Sequence, residues 1–141
     1  MPQTNWRWCS KCQGLFYGGF PMSVCPAGGQ HDGNMSGDYY IPFASDGIGN
    51  QWGWNLCNRC QGLIYMWNSS GTCPAGGGHN YANSAIYALV ISGPQTPGQS
   101  GWLWCNKCYG LFYSGMNTSG FCPAGGGHDW SGWIVYSLDV H

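Results

Sequence analysis

Three short stretches of the chain carry cysteine, glycine and histidine in one order: CPAGGQH from Cys25 to His31, CPAGGGH from Cys73 to His79, and CPAGGGH from Cys122 to His128. Each follows a Cys-x-x-Cys pair, namely Cys9 and Cys12, Cys57 and Cys60, and Cys105 and Cys108. Three thiolates and one imidazole are a common donor set for structural zinc, which takes four ligands in a tetrahedron. A Cys-x-x-Cys turn sets two sulfurs on one side of an ion. The paired glycines then let the chain reverse, so that the histidine, six positions after its cysteine in every copy, reaches the fourth corner. The expected cofactor is therefore Zn²⁺, three per chain. With four protein ligands each, the centres are structural rather than catalytic.

A disulfide framework is the rival use of these cysteines. There are nine, an odd number, so pairing within the chain leaves at least one over and gives the phased histidines no role. Zinc with three thiolates carries a formal charge of −1. The second residue between the paired cysteines is Lys11, Arg59 or Lys107, three of the chain's four basic residues. These are expected to offset that charge and to help keep the thiols deprotonated. A structural zinc site typically contributes an apparent ~10–16 kcal/mol to folding.

The elements that position these ligands repeat with them. Cys9, Cys57 and Cys105 are each 48 positions apart, the mark of a repeat architecture. The repeats read as residues 1–51, 52–101 and 102–141, within one domain spanning 1–141. Each begins with a hairpin, WRWCSKCQGLFY, WNLCNRCQGLIY or WLWCNKCYGLFY, whose arms flank the Cys-x-x-Cys turn. Gly14, Gly62 and Gly110 are expected at its backbone-permissive position. Each ends in a strand with alternating large apolar residues: Tyr39, Ile41 and Phe43; Tyr87, Leu89 and Ile91; Tyr136, Leu138 and Val140. Pro42 marks an edge or a bend in the first. No segment has helical periodicity, and abundant glycine and aromatic residues give an all-β composition. Three separate beads would each bury their aromatics alone. The final strands need a face to cover, which favours a closed threefold assembly sharing one core.

Composition also excludes functions. Four Lys and Arg supply no basic face for neutralising phosphates, so no nucleic acid is expected as a partner. A zinc-finger reader of single-stranded RNA would suit the aromatics but not the charge. No apolar run reaches bilayer length, and no membrane insertion is expected. There is no glutamate, and every histidine except His141 is assigned to metal, so no general base stands ready beside a nucleophile. The chain reads as a binder, not an enzyme. MPQTNWRW lacks the pattern of a secretory signal. Reduced, metal-bound cysteines favour a cytoplasmic location or release without a signal peptide. The sequons at Asn34, Asn68 and Asn117 are then expected to stay unmodified.

Three repeats of about 48 residues with this aromatic content resemble the β-trefoil lectins, in which each repeat may present a shallow carbohydrate pocket. The W-x-W-C-x-x-C-x-G-L and C-P-A-G-G-x-H signatures also resemble tandem modules appended to secreted hydrolases. The resemblance implies a β-trefoil fold and a multivalent lectin, with glycans or glycoconjugates as partners. The Gln-x-Trp signature of ricin-type trefoils is absent, so no sugar contacts are carried over from them. From the residues themselves, sugar binding needs an aromatic face and fixed polar groups. The candidates are Asp32, Asn80 and Asp129 directly after the histidines, with Asn34, Tyr81, Trp130 and Trp133 near them and Trp67, Asn68 and Asn117 in the variable loops. Trp6, Trp8, Trp54, Trp102 and Trp104 lie on the hairpin arms and are assigned to packing or metal shielding. A non-catalytic, zinc-stabilised protein-interaction module is the alternative.

Overall fold

Each third of the chain folds as the same three-stranded antiparallel unit. The computed structural model describes residues 1–66, 68–130, 132 and 134–141. The first unit comprises β1 (Gln3–Trp8), β2 (Leu15–Tyr17) and β3 (Tyr39–Ile41); the second, β4 (Gln51–Leu56), β5 (Leu63–Tyr65) and β6 (Ile86–Ile91); the third, β7 (Gln99–Trp104), β8 (Leu111–Tyr113) and β9 (Tyr136–Val140). In each, the first strand pairs with both others. The described residues are all-β apart from one short 3₁₀ turn at Ala44–Asp46. β3 stops just before Pro42, which cannot donate to a ladder. No helix among the described residues is long and apolar enough to cross a membrane.

The structural repeat starts earlier than the cysteine alignment suggests. Gln3, Gln51 and Gln99 open equivalent strands, and β7 runs across residue 101, inside a strand rather than between units. Each opening strand then shifts register between its glutamine and a tryptophan, at Gln3/Trp6, Gln51–Trp54 and Gln99/Trp102. The residue before that tryptophan has a left-handed backbone: Asn5 (φ 73°), Gly53 (φ 105°) and Gly101 (φ 99°). Such a bulge bends the strand and turns the tryptophan inward.

The three units then close on one another. β9 pairs with both β3 and β6, and the bridge Phe43–Tyr87 joins the first unit to the second. At the opposite end, isolated bridges link Gly14 to Phe112, Gly62 to Phe16 and Gly110 to Ile64. Backbone N–H groups of Tyr17, Tyr65 and Tyr113 donate to the carbonyls of Gln61, Tyr109 and Gln13 at 2.8, 3.1 and 2.9 Å. A nearly closed threefold sheet results.

The shared core explains the aromatic content. Trp6, Trp54 and Trp102 are completely buried, each edge-on to a tyrosine of the next unit: Trp6 with Tyr87, Trp54 with Tyr136 and Trp102 with Tyr39, at centroid distances of 5.4, 5.3 and 5.2 Å. Buried indole and phenol groups need partners. The opening glutamines supply both. Gln3, Gln51 and Gln99 each accept from the Nε1–H of their own tryptophan and from that tyrosine's hydroxyl. Of the five tryptophans assigned to packing or metal shielding, Trp6, Trp54 and Trp102 are therefore core residues.

Gly14, Gly62 and Gly110 do not supply the left-handed conformation of the Cys-x-x-Cys turn. The residue before each does: Gln13 (φ 73°), Gln61 (φ 67°) and Tyr109 (φ 73°). The glycines instead sit on the bridges between units, where an added Cβ would stand 3.4, 3.5 and 3.6 Å from the preceding cysteine's sulfur. Their positions are chosen by closeness to the centre, not by a positive φ.

Candidate metal centres and ligand clefts

The hairpin turn and the later Cys-Pro-Ala-Gly-Gly turn bring four donors together in each unit. These are Cys9, Cys12, Cys25 and His31; Cys57, Cys60, Cys73 and His79; Cys105, Cys108, Cys122 and His128. All nine cysteines are free thiols and buried. Within each group the ligand atoms lie within 4.8 Å of one another. The first and third sulfurs are 3.8, 3.9 and 3.8 Å apart, and the second sulfur is 3.6, 3.6 and 3.5 Å from the histidine Nδ1. Zinc bonded at about 2.3 Å to sulfur and 2.0–2.1 Å to nitrogen sets tetrahedral edges of roughly 3.8 Å and 3.6 Å. The donor sets fit that ion, and the three centres can hold metal.

Backbone geometry supports the sulfurs. In the first centre, N–H groups of Gly14, Ala27 and Asp32 donate to Cys12, Cys25 and Cys9, each at 3.4 Å. Ala75 and Ala124 repeat the contact to Cys73 and Cys122. Such donors stabilise thiolates. Phe16 stacks on His31 and Phe112 on His128, at 4.6 and 4.7 Å, screening the imidazoles from water.

Lys11, Arg59 and Lys107 grip the second turn. Lys11 donates to the carbonyls of Gly28 and Gln30 at 2.6 and 2.8 Å, and Lys107 to those of Gly125 and Gly127 at 2.6 and 2.9 Å. Arg59 reaches Gly78 and Ala75. Each cation thus fastens the metal turn by its carbonyls.

Without metal, the four groups of a centre share protons. Hydrogen bonds from Cys12 and Cys25 hold the Cys9 thiol far below its ordinary value, while hydrogen bonds with Cys25 and Cys9, and then burial, push Cys12 well above it. Cys57 and Cys105 follow Cys9, and Cys60 and Cys108 follow Cys12. Burial would lower the His31 pKa, but hydrogen bonds to Cys25 and Cys9 outweigh it and raise it to about 9, as happens for His79 and His128. Metal binding to thiols and an imidazole whose proton affinities are raised in this way must displace protons.

The other candidates fall in different surroundings. Asp32 Oδ1 accepts from the Asn34 N–H at 3.0 Å, and Asn80 Oδ1 from the Ala82 N–H at 2.9 Å and the Asn58 amide at 3.2 Å, so both close local turns. Asp129 is exposed; its N–H donates to Cys105 and its carbonyl accepts from Asn106. Asn68 accepts from the Tyr109 hydroxyl at 2.6 Å, and Asn117 occupies an exposed left-handed turn position. Trp67 and Trp133 lie outside the described residues.

Two candidates line clefts. Tyr81 edges an open groove with Met66 and Ile86 on the second unit. Trp130, 39 % exposed, lines a cleft of about 350 Å³ between the second and third units, together with Gln51, Tyr65, Trp104, Ile134 and Tyr136. Sequence reasoning assigned Trp104 to packing or metal shielding and passed over Tyr65 and the glutamines. The period-48 Gln-x-x-Trp pattern at Gln3, Gln51 and Gln99 would have revealed the latter. No family model, curated protein or solved structure matches the chain.

Proposed function

We propose that the protein is a non-catalytic carbohydrate-binding module of β-trefoil type, built on three structural zinc ions. The nearly closed threefold sheet and shared core support the trefoil assignment. The fit of each donor set to tetrahedral zinc supports the cofactor. Each centre uses four ligands of the chain itself, which leaves no position for a reacting water. Zinc would hold the two turns of each unit together, and its surroundings supply shape rather than chemistry.

The observation that carries the sugar reading is the cleft at Trp130. Its lining is almost wholly aromatic or aliphatic, with Gln51 among it. A pyranose presents an apolar C–H face and a polar rim, and such a face stacks on Trp or Tyr. The cleft spans two units whose backbones are fixed by sheet and metal turns, so little freedom is lost on binding. Repetition of clefts between units would make the molecule multivalent, with avidity for a glycan-coated surface above any single affinity.

Scarce basic charge sets nucleic acid aside as a partner, and reduced metal-bound thiols favour a cytoplasmic or signal-independent location. A glycan array on protein of verified zinc content tests the reading. Binding that falls at least tenfold in Trp130→Ala supports it; a silent array with folded, zinc-loaded protein overturns it. A protein-interaction module is the second reading, favoured by the exposed apolar groove of Tyr81, Met66 and Ile86. A defined partner that sugars fail to displace, lost on Tyr81→Ala, would establish it instead.

A further inference from the structure

The cleft at Trp130 has an equivalent where the third unit meets the first. There Trp8 takes the place of Trp104, Tyr113 that of Tyr65, and Tyr39 that of Tyr136. At the remaining junction the position of Trp8 and Trp104 is taken by Leu56, so no indole stands at that place. The three junctions are therefore unlike, although the repeats that form them are alike.

The third-to-first cleft differs from its counterpart in size and polarity. It is an open groove of about 650 Å³, within the range of small-molecule sites. In the second-to-third cleft the Trp104 Nε1–H donates to the Tyr65 carbonyl at 3.0 Å. The Trp8 Nε1–H, by contrast, is buried with no hydrogen-bond partner among the described residues. The same is true of Gln13 Oε1, whose amide nitrogen is held by the Ser10 carbonyl at 3.1 Å. Gln13 itself is only 5 % exposed. A buried unpaired donor or acceptor typically disfavours the folded state, so two such atoms on residues that line one cleft call for an explanation.

We infer that the third-to-first cleft is a second and more selective sugar site, in which ring hydroxyls accept from the Trp8 indole N–H and donate to Gln13 Oε1 while Tyr113 faces the ring. A hydroxyl is both donor and acceptor, and a polyol ring carries several at fixed spacings. Met35 and Met116 line the cleft at 79 % and 52 % exposure, and flexible thioether side chains shift readily to admit a ligand to atoms that are covered in the free protein. The inference rests on the carbohydrate reading, but it makes the molecule bivalent with two dissimilar sites rather than trivalent with three similar ones.

Tryptophan indole N–H resonances of zinc-loaded, ¹⁵N-labelled protein test this. The Trp8 resonance is identified by its disappearance in Trp8→Phe. Glucose, galactose, mannose and N-acetylglucosamine are then titrated singly to tens of millimolar. The expected result is a saturable shift of the Trp8 resonance with at least one sugar, weakened about tenfold or more by Gln13→Met and unchanged by Trp52→Phe on the outer face of β4. Gln13→Glu, which keeps an acceptor oxygen, guards against loss of fold as the cause. If an array shows sugar binding but the Trp8 resonance stays still, this inference fails while the carbohydrate reading stands. If glycerol moves the resonance as readily as any sugar, the site accepts any hydroxyl and is not selective. If no sugar binds at all, both fall.

Discussion

The imidazole Nε2 of His128 lies 3.0 Å from the backbone carbonyl of Cys12, 116 residues away in the chain. His31 makes the same contact to Cys60 at 3.1 Å, and His79 to Cys108 at 2.9 Å. With Nδ1 turned to the sulfurs, Nε2 carries the proton and donates it. Every centre is thereby oriented by a hydrogen bond to the Cys-x-x-Cys turn of the next, and the three form a ring. Partners of this kind orient a ligating histidine and raise its basicity.

Metal loss should therefore be cooperative. Denaturation with chelator is expected to release about three zinc ions per chain, as the ligand sets require. Under native conditions, removal of the ions should follow one steep transition, and His79→Ala should weaken retention at more than its own centre. Three independent release steps, or two ions kept unchanged in the variant, would contradict the ring. Elemental analysis and a chromogenic zinc titration read both.

Gln99 should matter far more than a polar residue at a strand's start usually does. It accepts from Trp102 Nε1 at 2.9 Å and from the Tyr39 hydroxyl at 2.7 Å, across two units. Gln99→Leu leaves two buried donors unpaired, at about 1–3 kcal/mol each. Urea unfolding of zinc-loaded protein should show a loss of about 2–6 kcal/mol on that basis. A loss below about 0.5 kcal/mol, the range of ordinary surface substitutions, would show the network to be dispensable.

Two left-handed glycines separate backbone strain from close approach. Gly47 (φ 72°) has nothing within 4 Å of an added Cβ, whereas at Gly120 (φ 69°) that atom would lie 2.2 Å from the Cys12 carbonyl oxygen. Gly47→Ala is expected to destabilise by about 1 kcal/mol. Gly120→Ala must in addition push the third unit off the first metal turn, the same turn that His128 grips. It should lower the melting temperature several times as much and loosen zinc. Equal effects of the two substitutions would place no weight on that contact.

Alkaline pH should unfold the protein through its buried tyrosines. Burial, only partly opposed by hydrogen bonds to Gln3 and Gln51, raises Tyr87 and Tyr136 to about 12, and Tyr39 is raised for the same reason. In the unfolded chain they ionise near ~10. Their contribution is complete below about pH 10 and is lost as pH rises toward 12, because only the unfolded chain has then released these protons. Absorbance of tyrosinate should show these groups titrating together with the loss of circular dichroism. Smooth ionisation of all nine tyrosines near pH 10 with the fold intact would refute the packing described.

The metal donors were legible because zinc chemistry writes itself into local sequence. Cys-x-x-Cys and Cys-Pro-Ala-Gly-Gly-x-His each place two ligands within a few bonds of one another, so spacing alone suggests geometry. The final strands were legible too, since Tyr87, Leu89, Tyr136 and Leu138 alternate and all are buried. The glutamines recur every 48 positions as Gln-x-x-Trp, but that pattern says nothing of the tyrosine hydroxyl of another unit that each will accept. Nor were Trp8 and Trp104 separable from Trp6, Trp54 and Trp102. All five stand on hairpin arms, and whether an arm faces the shared core or the gap between units depends on how the units meet.

By itself, the sequence determined what each third of the molecule contains: a hairpin, four soft and nitrogen donors for one ion, and a strand with one apolar face. These follow from short-range rules of ligand spacing and side-chain alternation. The tertiary structure alone decided that the histidine of one unit anchors the metal turn of the next, and that three nearly identical repeats form three different junctions. The reason is that contacts between units join residues as far apart as His128 and Cys12, and single exchanges such as Leu56 for tryptophan change the surface a junction presents without changing the fold that makes it.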